Sequence, residues 1–203
     1  NKGSKDPNKP HYVHIMHKGK FTRRVFNNSS WLKGGRFYGG FWQRVGQDYR
    51  NDILINDEET VELDFSSLHP VLAYVQAGVD YWKEHDIGPY DISVDGIVDA
   101  KVSREVIKKL FLLALNAKDQ ITLFKAFRSE FDYSLLDGLE YKFTNDALGK
   151  ILDSIKAKHP TIADQIATGA GLKLMNLDSK IVEFVIKQFL QTNTPILSVH
   201  DSF

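Results

Sequence analysis

The chain has 203 residues, of which 42% are hydrophobic and 26% charged, so it can form one sizeable core and disorder is not the default. It has no cysteine, which excludes disulfides, thiolate metal sites and cysteine nucleophiles. The sequence contains no run of about 18 apolar residues and no signal-peptide pattern, so we expect a cytoplasmic protein (host cytoplasm for a phage- or plasmid-encoded one) without a membrane span.

The net charge is zero, but the charges are divided along the chain. Residues 1–44 contain ten Lys/Arg and one acid, whereas residues 45–203 contain 16 Lys/Arg and 25 Asp/Glu. A basic segment favours contact with phosphates, and a solvated tail with scattered surface charge is the alternative. We therefore divide the chain into a basic N-terminal segment, residues 1–33, and a folded domain, residues 34–203.

The N-terminal segment begins with a flexible lead-in at residues 1–10, rich in Lys, Asn and Pro. Three histidines follow at a spacing of three residues, at His11, His14 and His17. A zinc site is one interpretation, but a clear set of further ligands is missing. An exposed segment or one that faces nucleic acid is the favoured interpretation.

The next elements are a turn-rich segment at residues 34–42, which has four glycines among aromatics, and two strands at 53–56 and 60–66 joined by a turn. In the second strand apolar residues alternate with acids, which predicts that Asp64 lies on the face opposite the core. A helix at 68–77 follows, with Ser67 as its N-cap.

The second half of the chain is predicted to be mainly helical after an irregular stretch at residues 79–101. Helical spacing of apolar residues, capping residues and Pro or Gly breakers predict helices at 103–117 (with Ser103 as N-cap), 120–131, 145–158 and 178–191. A short apolar strand at 196–199 then leads into His200 and Asp201. The overall prediction is an α+β fold with a small antiparallel sheet.

Two apolar strands run directly into an aspartate, at Asp64 and at Asp201. A carboxylate at the end of a buried strand is costly unless its charge has a partner. Two such aspartates on neighbouring strands can hold two Mg²⁺ ions, which carboxylates and backbone carbonyls suit well. Each aspartate alone is more often a cap or a turn residue.

Arg104 and Lys108 lie one helical turn apart on the helix predicted at 103–117. Both can therefore reach the phosphates of one nucleotide, Arg by forked contacts and Lys as a point charge. A solvated helix flank is the alternative interpretation, and Lys109 is an equally basic neighbour that could replace Lys108.

Four segments, in this order, resemble motifs of DNA polymerase family A: GGRF (34–37), VELDFSSLHP (61–70), the RxxxK pair of Arg104 and Lys108, and VHDSF (199–203). The last is also similar to the motif of single-subunit phage-type RNA polymerases. The resemblance implies a reduced right-hand palm with helical fingers-like elements. It also implies that this domain is incomplete at its C-terminus.

The resemblance also implies roles for individual residues. Asp64, Asp201 and the carbonyl of Phe65 bind two Mg²⁺ ions, for which Mn²⁺ can substitute. The incoming nucleoside triphosphate is held by Arg104 and Lys108. Primer–template is contacted by Arg36, Tyr38 and His200.

Two positions depart from the family pattern. His69 stands where a glutamate usually helps to exclude the ribose 2′-hydroxyl, and Leu112 stands where an aromatic residue stacks on the nascent base pair. Both remain nucleotide-binding candidates, but the product can be DNA, which is favoured, or RNA.

The expected activity is template-directed extension of a primer 3′-hydroxyl. Two other functions remain open: a two-metal phosphodiesterase or nuclease, and a catalytically degenerate module that binds nucleic acid or a partner protein.

Overall fold

The computed structural model describes residues 15–203, in which helices dominate and strands form two small antiparallel hairpins. The predicted α+β class is therefore confirmed. The predicted lead-in at 1–10 and two histidines of the zinc hypothesis, His11 and His14, lie outside the described residues. His17 begins a short 3₁₀ helix, His17–Lys20.

The helices of the described part are α1 (Gln47–Arg50), α2 (Leu68–Gln76), α3 (Tyr81–Glu84), α4 (Ala100–Asn116), α5 (Gln120–Glu130), α6 (Asn145–Lys158) and α7 (Gly171–Gln191). Short 3₁₀ helices lie at Phe41–Arg44, Tyr133–Leu136 and Pro160–Gln165. No helix in residues 15–203 is both long and apolar enough to cross a membrane.

The strands are β1 (Arg23–Asn27) and β2 (Ser30–Tyr38), which pair with each other, and β3 (Leu54–Ile55) and β4 (Glu58–Glu59), which form a second two-stranded sheet. The first hairpin corrects the prediction of a turn-rich segment at residues 34–42, because residues 34–38 belong to strand β2. Gly34 and Gly35, at φ +70° and +98°, form a bulge within β2 instead of ending it.

For the predicted strand at 60–66, the expectation that its apolar side chains face the core is wrong. Its backbone is extended, but Val61 and Leu63 are 78% and 69% exposed instead of facing the core. The reason is that, among the described residues, this segment pairs only with residues 201–203, through an isolated bridge instead of a sheet that could cover its apolar side chains. The predicted strand at 196–199 is likewise extended backbone without a ladder.

The predicted helices at 68–77, 103–117, 120–131 and 145–158 are confirmed, with small changes at their ends. Helix α4 begins earlier than predicted, because the side chain of Asp99, not of Ser103, accepts the hydrogen bond that caps it. Helix α7 also begins earlier, at Gly171.

The core surrounds α4, which packs against α5, α6 and α7. Its buried face includes Ile107, Leu110 and Phe111, none of which is exposed. Helix α7 packs in addition along β2 and α2. It therefore connects the core to the first hairpin and to the helix that follows Asp64.

Candidate active site

The two candidate metal-binding aspartates lie on paired segments. Residues 63–65 run antiparallel to residues 201–203. Leu63 and Phe203 exchange backbone hydrogen bonds of 2.8 and 2.9 Å. Asp64 lies directly opposite Ser202 in this pairing. The fold thus joins two segments that are far apart in the sequence.

A tight turn holds Asp201 at this edge. Val199 and Ser202 exchange backbone hydrogen bonds of 2.8 and 3.0 Å, which leaves His200 and Asp201 at the centre of the turn. His200 has a φ of +57°, as a tight two-residue hairpin turn requires at one or both of its central positions. The backbone N–H of Phe65 lies 3.5 Å from the carbonyl oxygen of Asp201, so the turn lies beside the segment that carries the other aspartate.

The charged groups around Asp64 shift the pKa of its carboxyl. Partial burial raises the pKa of this carboxyl, and the nearby carboxylates of Asp201 and, more weakly, Glu62 raise it further. The backbone N–H of Phe65 and the ammonium group of Lys108 act in the opposite direction. Asp64 therefore lies close enough to Asp201 for mutual repulsion, and Lys108 faces the same carboxylate.

The donor set fits a hard divalent cation. Two repelling carboxylates on adjacent segments, together with the Phe65 carbonyl, offer the oxygen ligands that Mg²⁺ prefers, and a cation would relieve their repulsion. Nowhere in residues 15–203 do three or more His, Asp or Glu side chains converge in a metal-binding arrangement. The set expected here is smaller, with two side chains and one backbone oxygen.

The two neighbouring lysines of α4 lie on different flanks of the helix, and only Lys108 acts on Asp64. Lys108 is exposed and acts on Asp64, whereas the ammonium group of Lys109 lies 2.8 Å from Glu130 on another flank. The geometry therefore favours Lys108 over its neighbour as the lysine of the site. Leu112, one turn further along α4, is half-buried.

Arg104 lies one turn before Lys108 and is exposed. Its guanidinium group is 3.3 Å from a carboxylate oxygen of Asp91 and lies over the ring of Tyr90, 5.7 Å from the centroid. A flat guanidinium held over an aromatic ring has a fixed orientation. Arg104 is thus held over Tyr90, and its two ion pairs, with Asp91 and at 3.7 Å with Glu105, are both exposed and weak.

Tyr90 is a site residue that the sequence did not reveal. Its side chain is buried, which raises the pKa of its hydroxyl, and the carboxylates of Asp64 and Asp201 raise it further, against the effect of the Ser67 hydroxyl and Arg104. The hydroxyl therefore stays protonated and can donate a hydrogen bond close to both aspartates. No periodic pattern marks this residue, because it lies in the irregular segment between α3 and α4.

A buried ion pair lies behind the turn. The Asp178 side chain on α7 has no exposed surface, and one of its oxygens accepts hydrogen bonds from Nε of Arg36 at 2.8 Å and from Nη2 of the same residue. Nε2 of His69 lies 2.9 Å from that oxygen. Arg36 and His69, expected to contact primer and nucleotide, are thus held together by an acid from a third element.

The second oxygen of Asp178 has no hydrogen-bond partner among the described residues. An unsatisfied oxygen on a fully buried carboxylate is costly, and such groups are concentrated at functional sites. Asp178 was predicted only as the first residue of a helix. A buried acid inside an amphipathic helix is the sequence signal that could have identified it.

His200 links this ion pair to the turn that carries Asp201. Burial and then the charge of Arg36 lower its pKa, against the smaller effects of Asp201 and Asp178, so the ring is neutral at pH 7. Its Nδ1 atom is buried without a partner in the described part of the chain. The ring of Tyr38 packs edge-to-face against it, with centroids 5.5 Å apart.

The predicted residues thus form two adjoining groups. The first, the open group, comprises Asp64, Asp201, Arg104, Lys108 and Tyr90, of which Asp64, Arg104 and Lys108 are exposed. Asp64 interacts electrostatically with Asp201 and Lys108, and Tyr90 with both aspartates and Arg104. The second, called the buried group after its fully buried Asp178, lies behind the turn and also comprises His69 and the half-buried Arg36, Tyr38 and His200.

No protein-family model matches this chain, and neither a curated protein nor a solved structure shows significant similarity to it.

Proposed function

We propose that this protein is a template-directed nucleotidyltransferase with a reduced right-hand palm, which extends a primer 3′-hydroxyl using nucleoside triphosphates. The observation that carries the proposal is the pairing of the Asp64 segment with the Asp201 turn, with Lys108 of α4 facing the same carboxylate. Two acids and a nearby base on a separate helix suit a reaction that needs both a metal site and a triphosphate site.

Asp64, Asp201 and the Phe65 carbonyl are the residues that would hold the ions. When bound, two Mg²⁺ ions, or Mn²⁺ in their place, supply activation of the 3′-hydroxyl and neutralise charge on the leaving pyrophosphate.

The remaining residues of the open group bind and orient the nucleotide. Lys108 and Arg104 bind the triphosphate, whose negative charge replaces the weak contact of Arg104 with Asp91. Tyr90 donates a hydrogen bond from a hydroxyl that stays protonated. Leu112 supplies apolar contact to the base.

The buried group positions the primer terminus and the sugar. Arg36 and Tyr38 face primer–template from the end of β2, and His200 contacts the primer terminus as a neutral ring. His69 lies beside the sugar. Because Asp178 holds His69 and Arg36 by the same oxygen, it acts as a positioning residue for both.

A primer-extension assay tests the proposal. It crosses dNTPs and NTPs with DNA and RNA templates in the presence of Mg²⁺ or Mn²⁺. Asp64→Asn and Asp201→Asn should each reduce extension by more than the roughly 100-fold typical of losing an outer-shell partner, since each removes a direct ligand. Asp153→Asn, at an exposed position on α6, is the matched control and should extend primers normally.

Other outcomes would assign a different function. Shortening of labelled DNA in the absence of nucleotides, lost in the same two variants, would indicate a nuclease. Binding of primer–template without incorporation under any metal would indicate a degenerate binding module. Near-normal extension by either aspartate variant would contradict the proposed roles.

A further inference from the structure

The β1–β2 hairpin carries a concentration of positive charge. Residues 15–46 include seven Lys/Arg and no Asp or Glu: Lys18, Lys20, Arg23, Arg24, Lys33, Arg36 and Arg44. Arg24 and Arg36 are neutralised by acids of α7, at Glu183 and Asp178. Lys18, Lys20 and Arg23 are exposed and form no ion pair with any other described residue. Lys18 and Lys20 lie on the 3₁₀ helix before β1 and Arg23 begins β1, so the end of the hairpin opposite its tip is cationic.

The tip of this hairpin exposes a tryptophan. The indole of Trp31 is 78% exposed and the next residue, Leu32, is 69% exposed. Only Phe26 packs on the indole as an aromatic neighbour in the described chain, edge-to-face at 4.6 Å, which leaves a ring face open. Trp42, by contrast, is buried and donates its indole N–H to the carbonyl of Ser198. Trp31 has no such structural function.

The hairpin is held rigidly against α7. The side-chain amide of Asn176 donates to the carbonyls of Trp31 and Gly34 at 3.0 and 3.1 Å. Arg24 donates to Ser179 at 2.9 Å and forms an ion pair with Glu183. The backbone that presents the indole is therefore fixed before any ligand binds, so little ordering is required on binding.

We propose that the β1–β2 hairpin is a binding site for single-stranded nucleic acid, in which Trp31 stacks on an unpaired base while Lys18, Lys20 and Arg23 contact phosphates. The proposal deepens the proposed function, on which it rests for the nature of the polymer. A cationic surface and an exposed aromatic ring on one hairpin are the combination that binds single strands without sequence preference.

Position and chemistry favour an unpaired strand over a duplex. Trp31 is seven residues along β2 from Tyr38, which pairs with Arg23 and packs on His200; this is roughly 20 Å at strand spacing, so a bound strand would run along the hairpin from its cationic end to the indole. An open indole face can stack on a base only when that base is not already stacked and paired. We assign the strand to the template, away from the primer terminus.

The test is binding, which does not depend on synthesis. Labelled oligo-dT, oligo-rU and a DNA duplex are titrated with the whole chain by fluorescence anisotropy, without nucleotides. Trp31→Ala should weaken binding of the single strands about tenfold, and Trp31→Phe should retain most of the affinity. The matched control is Trp82→Ala, which removes an indole that is 50% exposed on α3 and should leave affinity unchanged.

The charge component is tested separately. Replacing Lys20 and Arg23 together by Gln should reduce the slope of log Kd against log salt by the equivalent of one to two phosphate contacts. The reduction should be the same for oligo-dT and oligo-rU. Equal affinity of wild type and Trp31→Ala for single strands would overturn the proposal. So would tighter binding of duplex than of single strand, or loss of self-association in Trp31→Ala without any change in oligonucleotide affinity.

The two proposals fail differently. If Asp64→Asn and Asp201→Asn leave synthesis intact or no synthesis exists, while Trp31→Ala still weakens single-strand binding, the hairpin site stands and the catalytic proposal falls. If synthesis depends on both aspartates but Trp31→Ala binds normally, only the hairpin proposal is overturned.

Discussion

His159 should make folding stability sensitive to mild acid. Its side chain is fully buried at the end of α6, where its Nε2 lies 2.9 Å from the carbonyl oxygen of Pro89 and its Nδ1 lies 3.0 Å from the hydroxyl of Tyr74. Because a carbonyl can only accept, Nε2 carries the proton and Nδ1 accepts from the tyrosine. Protonation of Nδ1 would abolish that acceptor and place a charge in the core.

Burial, with smaller contributions from Lys158 and His85, lowers the pKa of His159 from 6.5 to about 4. In the unfolded chain this histidine takes up a proton near pH 6.5, whereas in the folded chain it resists until about pH 4. The unfolded state therefore binds more protons in this interval, and stability falls as the pH falls from 6.5 towards 4. A difference of this size corresponds to about 3 kcal/mol in total, most of which is lost by roughly pH 4.5.

Urea unfolding at about pH 7 and about pH 4.5 measures this loss. His159→Gln removes the titrating group, so its free energy of unfolding should be lower at neutral pH. On acidification it should fall by less than that of the wild type, the difference being most of the about 3 kcal/mol above. His17→Gln, which removes an exposed histidine of the short 3₁₀ helix before β1, is the control and should keep the wild-type pH dependence. Equal losses on acidification in wild type and His159→Gln would refute the reasoning.

Three further predictions concern the site. Asp178→Asn should lower the free energy of unfolding by about 3 kcal/mol in denaturant titrations, because it leaves the buried guanidinium of Arg36 without its acid; an unchanged midpoint would contradict the buried ion pair. Lys108→Gln should raise the KM for nucleotide about tenfold in primer extension, while Lys109→Gln, whose partner is distant from the site, should not. Tyr90→Phe should reduce kcat with stability preserved, and unaltered kinetics would exclude its hydroxyl from the reaction.

Helices were the part of the fold that the sequence predicted well. The apolar spacing of α4, α5 and α6 is regular, and their ends carry capping side chains at Asp99, Asp119 and Thr144. The start of α7 was missed because Gly171 reads as a breaker. In the structure that glycine allows α7 to approach α4 closely, since a Cβ there would collide with the side chain of Asn116.

Strands and the buried part of the site were harder to predict, because tertiary contacts decide them. The β1–β2 hairpin depends on α7, which supplies acids for its arginines, and its glycine bulge resembles a turn in sequence. Tyr90 is fixed by packing against Phe111 and Arg104, which no local pattern records. Asp64 and Asp201 were identifiable because each follows an apolar run, even though those runs do not form a buried sheet.

Helix α7 also determines how the hairpin could be transplanted. Within eight residues it supplies Asn176, Asp178, Ser179 and Glu183, which hold the β1–β2 hairpin from its tip to the end near His200. A hairpin grafted onto another scaffold without α7 would carry two arginines with no acids and an indole on a loose support. The hairpin and α7 therefore form one structural unit. A substitution at a contact on either should require a matching substitution on the other.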